Sequence, residues 1–200
     1  MNIKLNKEQI KKINIGDYNY PENLNHIYNP PKQLYIIGDE TILKGRSIAI
    51  IGSRDCNEYG KRVSYNFAKE FTKRNINVIS GLARGIDTYA HKGTIDEIKK
   101  NINSKNKIGK TIAVLGCGLD VIYPPENKEL YKQIIQSGGA IITEYPLGTV
   151  PMKQHFPARN RIISGLSDGV LVVEAKKKSG TMITVEHALE QGKDVYAVPR

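Results

Sequence analysis

Six short apolar runs punctuate the chain from residue 47 onward: Ile48–Ile51, Val78–Ile79, Thr111–Leu115, Ala140–Thr143, Val170–Val173 and Val195–Val198. They are rich in isoleucine and valine. Most are continuous instead of alternating with polar residues, the pattern of strands covered on both faces. Between them the apolar positions fall at helical spacing. Tyr59, Val63, Phe67 and Phe71 recur every fourth residue and predict one apolar helix stripe, and Met182, Val185 and Leu189 predict another. Repeated strand–helix alternation predicts an α/β fold with a parallel, doubly wound sheet. Residues 98–110, with Lys, Asn and Gly, read as an exposed connection. The first 45 residues follow a different pattern. Residues 1–20 are polar, with a short helix predicted around Lys7–Ile13; residues 21–45 are rich in Pro and Asn and turn apolar at Leu34–Ile37. This reads as an N-terminal segment, 1–45, packing on a core domain, 46–200.

Charge adds a direction to this frame. The 200 residues carry a formal net charge of +10. That excess suits an anionic partner such as nucleic acid, and equally suits a Lys-rich solvated surface. Cys56 and Cys117 are the two cysteines, far apart and in no metal-ligand spacing, so a reduced, cytoplasmic protein is expected. The start, M-N-I-K-L-N-K-E-Q-I-K-K, has no apolar stretch of signal-peptide length, and no run approaches the ~20 residues of a membrane span.

The chemistry collects where strands end. Gly52-Ser53-Arg54 follows the first run, Ser80-Gly81-Leu82-Ala83-Arg84-Gly85 the second, and Gly116-Cys117-Gly118 the third; Lys178-Ser179-Gly180-Thr181 opens a helix after the fifth. Glycines let backbone amides approach an anion, and a helix N-terminus favours negative charge. Arg54 and Arg84 add charge-assisted hydrogen bonds to phosphate. One such loop reads as an ordinary tight turn; four, two with arginine, read as a phosphate-binding edge. Three motif matches fail on context. Gly109-Lys110-Thr111 has Ser104 where a P-loop needs glycine, and it precedes a strand. Gly116-Cys117-Gly118 has Val121 in place of the third glycine of a dinucleotide fingerprint. Gly165-Leu166-Ser167-Asp168-Gly169 precedes a strand, whereas a nucleophile elbow follows one. His91, one helical turn after Asp87, reads as structural. No catalytic residue, metal site or cofactor is expected.

The densest stretch is Lys153-Gln154-His155-Phe156-Pro157-Ala158-Arg159-Asn160-Arg161. Pro157 suits the first turn of a helix. Arg159 and Arg161 near that start oppose the helix dipole, a conflict that a bound anion would remove. Phe156 offers a face for stacking a base of a single strand. The opposing reading is a solvated basic loop with Phe156 tucked into the core.

These strings resemble a known family. I-I-G-S-R (50–54), S-G-L-A-R-G-I-D-T-Y-A-H-K-G (80–93), A-V-L-G-C-G-L-D-V-I-Y-P-P-E-N (113–127), T-E-Y-P-L-G (143–148), F-P-A-R-N-R-I-I-S-G-L-S (156–167) and A-L-E-Q-G-K-D-V-Y-A-V-P (188–199) are similar to the central motifs of the DNA-processing protein A (DprA/Smf) family. Y-P-E-N-L-N-H-I-Y-N-P-P (20–31) is similar to its lead-in. The resemblance implies an extended Rossmann-like fold, mostly parallel with helices on both faces, that binds single-stranded DNA and loads the RecA recombinase in natural transformation. It implies binding roles for Arg54, Lys153 and Phe156; the reading of the loops and of the basic stretch adds Gly52, Ser53, Gly81, Arg84, Arg159, Asn160, Ser179, Gly180 and Thr181 as candidates. The family's helical and winged-helix-like flanking domains do not fit in this chain. It stops at Val198-Pro199-Arg200, where the family continues past V-P-G, so part of the last layer, with any homodimer contacts it supplies, is expected beyond it. The family is also similar to nucleotide hydrolases with a P-G-G-x-G-T-x-x-E loop. A phosphoribohydrolase-type enzyme is therefore the alternative, but here the glutamate arrives late, at Glu186, and the candidate carboxylates Glu174, Glu186 and Asp87 form no decisive pair.

Overall fold

Each of the six apolar runs is a strand in the computed structural model, which describes residues 9–104 and 106–199. The elements are β1 (Ile10–Asn14), α1 (Glu22–Asn25), β2 (Gln33–Gly38), β3 (Ser47–Gly52), α2 (Glu58–Lys73), β4 (Asn77–Ser80), α3 (Ile86–Lys100), β5 (Thr111–Val114), α4 (Lys128–Gln136), β6 (Ala140–Thr143), α5 (His155–Leu166), β7 (Gly169–Glu174), α6 (Gly180–Glu190) and β8 (Asp194–Ala197). The strands form one sheet in the order β1-β2-β6-β5-β4-β3-β7-β8. From β6 to β8 every neighbouring pair is parallel; β2 joins β6, and β1 joins β2, antiparallel.

Alternate residues of the central strands feed opposite cores, because side chains alternate across a pleated sheet. Ile112, Val114, Ala140 and Ile142 pack with Ile162, Ile163 and Leu166 of α5, Leu24 of α1 and Ala188 of α6. On the other face, Ile50, Val78 and Leu171 meet Ala68 of α2 and Ala90 of α3, while Ala113 and Ile141 meet Leu130, Tyr131 and Ile134 of α4. Helices therefore cover both faces, as a doubly wound fold requires.

Three sequence expectations change. The helix predicted around Lys7–Ile13 is strand β1 where described, and Lys7 and Glu8 lie outside the described residues. Only Ile13 of β1 is buried, so Ile10 and Ile13 do not define a helical face. The stripe Tyr59-Val63-Phe67-Phe71 is not the buried face of α2. Tyr59 and Phe67 remain 43% and 40% exposed, while Gly60, Ser64, Ala68 and Thr72 are buried. Small residues win that face because α2 lies close against α3: a Cβ on Gly93 of α3 would collide with the carbonyl oxygen of Tyr65. Leu34–Ile37, read only as an apolar stretch packing on the core, is part of β2 and extends the sheet itself.

Candidate functional site

Strand order reverses at β3. The chain steps from β3 through β4 and β5 to β6 on one side, while β7 and β8 lie on the other. Connections leaving β3 and β7 run to opposite faces, which opens a crevice at the carboxyl ends of the strands. A crevice of about 540 Å³ lies there, between the Gly52–Asp55 turn, the start of α5 and the β7–α6 loop. A register shift between Ile51 and Gly52 sets Gly52 against Glu174 and bends the end of β3, and the Ser53 amide donates to the Glu174 carbonyl at 2.7 Å. Gly85 precedes α3 with φ +72°, a conformation glycine adopts without strain. The Ile86 amide then donates to the Ser53 carbonyl at 3.2 Å and locks this loop to the β3 turn.

Arg54, Lys153 and Phe156 converge on the crevice. Arg54 and Lys153 are exposed and Phe156 is half-buried. The Arg54 guanidinium lies over the Phe156 ring, 5.5 Å from its centroid, and Tyr123 packs against the same ring at 5.3 Å. Gly52, Ser53, Asn160, Ser179, Gly180 and Thr181 also line it.

The remaining predicted residues sit differently. Arg159 also lines the crevice, but from its floor, and is only 4% exposed. Its Nη1 donates to the carbonyls of Gly81, at 2.9 Å, and Val114, and its Nε donates to Asn160 Oδ1 at 3.2 Å. Through these bonds it ties the ends of β4 and β5 together at the floor of the crevice. Burial lowers its pKa to about 10, which leaves it cationic at neutral pH. Gly81 is buried against that guanidinium and does not line the crevice. Arg84 borders an adjoining smaller hollow, where it pairs with Glu126. The dipole conflict expected for Arg161 is resolved within the protein. Its guanidinium donates to both Glu144 oxygens, at 2.7 and 2.6 Å, and no anion is needed.

Other residues enter that the sequence did not single out. Lys176, read as part of a solvated run, lines the crevice, as do Tyr123, Asp55 and Thr184, and so does Asp87, a candidate carboxylate of the hydrolase alternative. Asp87 accepts from the amides of Gly81 and Ala83; burial raises its pKa, and Arg159 partly offsets that. The Y-P-P-E-N string and the length of the Lys176–Lys178 run were the available signals, but neither says which way a side chain turns. His91 is fully buried beside Thr111, with 2.6 Å between Nδ1 and Oγ1, and Ser167 donates to the Ser164 carbonyl in a turn. Among the described residues no three His, Cys, Asp or Glu side chains group as metal ligands, and no helix is long and apolar enough to cross a membrane.

Fold and crevice together define a Rossmann-like, doubly wound α/β protein with a basic crevice at its switch point. The DNA recombination-mediator protein A family model matches residues 11–200. The chain belongs to that family, which includes the DprA and Smf proteins. It is 44% identical over 194 residues to the DNA processing protein DprA of Bacillus subtilis, covering 96% of this chain and 62% of that one. With DprA of Streptococcus pneumoniae it shares 42% over 192 residues, covering 96% and 64%. The chain thus spans about three-fifths of the length of these relatives. The X-ray structure of S. pneumoniae DprA superposes with a TM-score of 0.86 at 41% identity, over 96% of this chain and 64% of that one. A Helicobacter pylori DNA processing protein A, described for its single-stranded DNA binding mode, superposes with a TM-score of 0.82 at 32% identity, over 96% and 81%. The molybdenum cofactor binding protein of Rippkaea orientalis, with a TM-score of 0.52 at 17% identity over 76% and 75%, shares the fold alone.

Proposed function

We propose that this chain is a sequence-tolerant, non-enzymatic binder of single-stranded DNA that holds incoming strands in the cytoplasm and delivers them to the RecA recombinase. The observation that carries this reading is the convergence of Arg54, from the turn after β3, with Lys153 and Phe156, from the start of α5, on one crevice. Two cations meet a backbone phosphate, and an aromatic face meets a base that only a single strand exposes. The single-stranded DNA binding described for the H. pylori relative supports it. A homodimer and the RecA contact belong to the same proposal, on family membership.

The hydrolase alternative needs two carboxylates poised over one sugar. Of the three candidate carboxylates, Glu174 and Glu186 lie outside the crevice lining, and Asp87 already accepts two backbone amides. Asp55 and Asp87 both line the crevice, but Asp87 is held by backbone amides, and this favours binding over hydrolysis. The test is fluorescence anisotropy of a labelled 35-nucleotide oligo(dT) against a duplex of equal length, titrated with salt. Single strands should bind more tightly, and log affinity should fall with log salt by about 0.7 per phosphate contacted. Equal affinity for duplex, or a flat salt response, would overturn the reading. Release of free base from a nucleoside monophosphate, abolished by Glu186→Gln, would install the hydrolase instead.

A further inference from the structure

The loop between β4 and α3 is held in a conformation that its own residues do not favour. Leu82 is fully buried with φ +57°, in the left-handed region that a bulky side chain seldom enters. Such a residue persists only where its neighbours over-determine it. Asp87 accepts from the Gly81 and Ala83 amides, at 3.1 and 3.3 Å. Asn127 donates to the Leu82 carbonyl at 2.9 Å, and Thr88 donates to the Ala83 carbonyl at 2.7 Å. A Cβ on Gly85 would collide with the Ser53 carbonyl oxygen, so this loop is seated against the turn that holds Arg54. What all these bonds fix is the place from which Arg84 extends.

Arg84 borders the small hollow beside the crevice, together with Arg54, Arg159 and the rings of Tyr123 and Phe156. Three guanidiniums meet there, and among the described residues no carboxylate lines the hollow. The counter-charge comes from the rim. Glu126 pairs with Arg84, and the two side chains are 62% (Arg84) and 55% (Glu126) exposed. Asn127, next in the chain, is the residue bonded to the Leu82 carbonyl, so one clamp sets the acid opposite the arginine. An ion pair this exposed adds little to stability, and a competing anion can open it. We infer that Glu126 is a built-in anionic placeholder, which occupies Arg84 while the site is empty and yields it to a phosphate of the bound strand. This rests on the proposed DNA-binding reading and adds regulation to it: a strand reaches Arg84 only by displacing a carboxylate already there. The exchange has a counterion signature. The arriving phosphate gives up a condensed cation and the released carboxylate takes one from solution, so the Arg84 contact adds nothing to the salt dependence. With glutamine at 126 the second step is absent.

The test is anisotropy of labelled oligo(dT) across a salt series with Glu126→Gln, Arg84→Ala and the double variant. Glu126→Gln should bind about two- to fivefold more tightly at low salt, the worth of one exposed ion pair, with an unchanged melting temperature. Its log–log salt slope should steepen by about 0.7. In the Arg84→Ala background the same substitution should gain nothing. Glu129→Gln, which removes an equal charge from α4, should also gain nothing. If Glu126→Gln binds no better than the parent, the placeholder is wrong while the DNA reading stands. A gain that survives the loss of Arg84, or that Glu129→Gln reproduces, is bulk charge and overturns it equally. If oligo(dT) does not bind the parent, the DNA reading falls, and calorimetry with pyrophosphate on the same four proteins judges the placeholder alone. Tighter pyrophosphate binding by Glu126→Gln, dependent on Arg84, supports it, and equal binding or none rejects it.

Discussion

Arg54 and Phe156 touch, so their contributions to binding separate only when measured together. Arg54→Ala should weaken single-strand binding by about 1.5–3 kcal/mol, through loss of a charge-assisted phosphate contact. Phe156→Ala should cost about 1–3 kcal/mol while leaving the salt slope nearly unchanged, and Lys153→Ala should reduce that slope by about one ion's worth. Because the guanidinium lies over the ring, the Arg54/Phe156 double variant should lose less than the sum. Anisotropy across a salt series reads all four. Lys132→Ala, on α4 and paired with Glu129, is the charge-matched control and should do little; Lys176 cannot serve, since it lines the crevice. A separate residue-scale effect concerns His91. Burial holds its pKa down at about 3, so it is neutral in the fold but gains a proton in the unfolded chain below about 6.5. Its contribution is fully present above 6.5 and declines as pH falls toward 3. Between pH 7 and 5 the parent should lose about 2 kcal/mol more stability than His91→Gln, measured by urea melts at each pH. The raised pKa of Asp87 acts with the opposite sign but is common to both proteins, so the difference isolates His91. At this scale Arg54, Lys153 and Phe156 were legible because strand ends and helix starts are legible. Arg159 was not, because its acceptors, Gly81 and Val114, lie 78 and 45 residues away.

Helix α2 shows how an apolar period can name the wrong face. Tyr59, Val63, Phe67 and Phe71 satisfy the four-residue spacing, but so do Gly60, Ser64, Ala68 and Thr72, one position on. Two helices that approach closely bury the smaller set, and nothing local announces that approach. The Gly93 contact gives it a measurable consequence. Replacing a mid-helix glycine with alanine gains about 1 kcal/mol of helix propensity. Here the added methyl must push the Tyr65 carbonyl away, and overpacking costs about 1–3 kcal/mol. Gly93→Ala should therefore destabilise on balance, seen as a lower denaturation midpoint with an unchanged slope. Strand β1 failed for a different reason. With one buried side chain in five residues, an edge strand leaves almost no pattern to read. The central parallel strands, buried on both faces, leave the strongest one.

Across the whole molecule, the parallel core was visible as strand–helix alternation. The antiparallel pair β1 and β2 was not, because a short apolar stretch does not say which edge of a sheet it will join. The strand reversal at β3 was equally hidden, yet it determines where the crevice opens. Its walls come from residues 52–55, 153–160 and 176–184, so they meet only after the sheet is fully assembled. A partly folded chain has the same cations and no crevice. Occupancy and folding are thereby coupled, and the melting point becomes a gauge of how much ligand is bound. At a hundred times the dissociation constant, a ligand of the native state alone adds about 2.7 kcal/mol. For a domain of this size that is a rise of roughly 5–10 °C. At 0.15 M salt, where loose attraction to an unfolded cationic chain is screened, oligo(dT) should raise the midpoint by that much, and far less in Arg54→Ala. A screen that follows only heat and dye can then rank strands and nucleotides without labelling any of them.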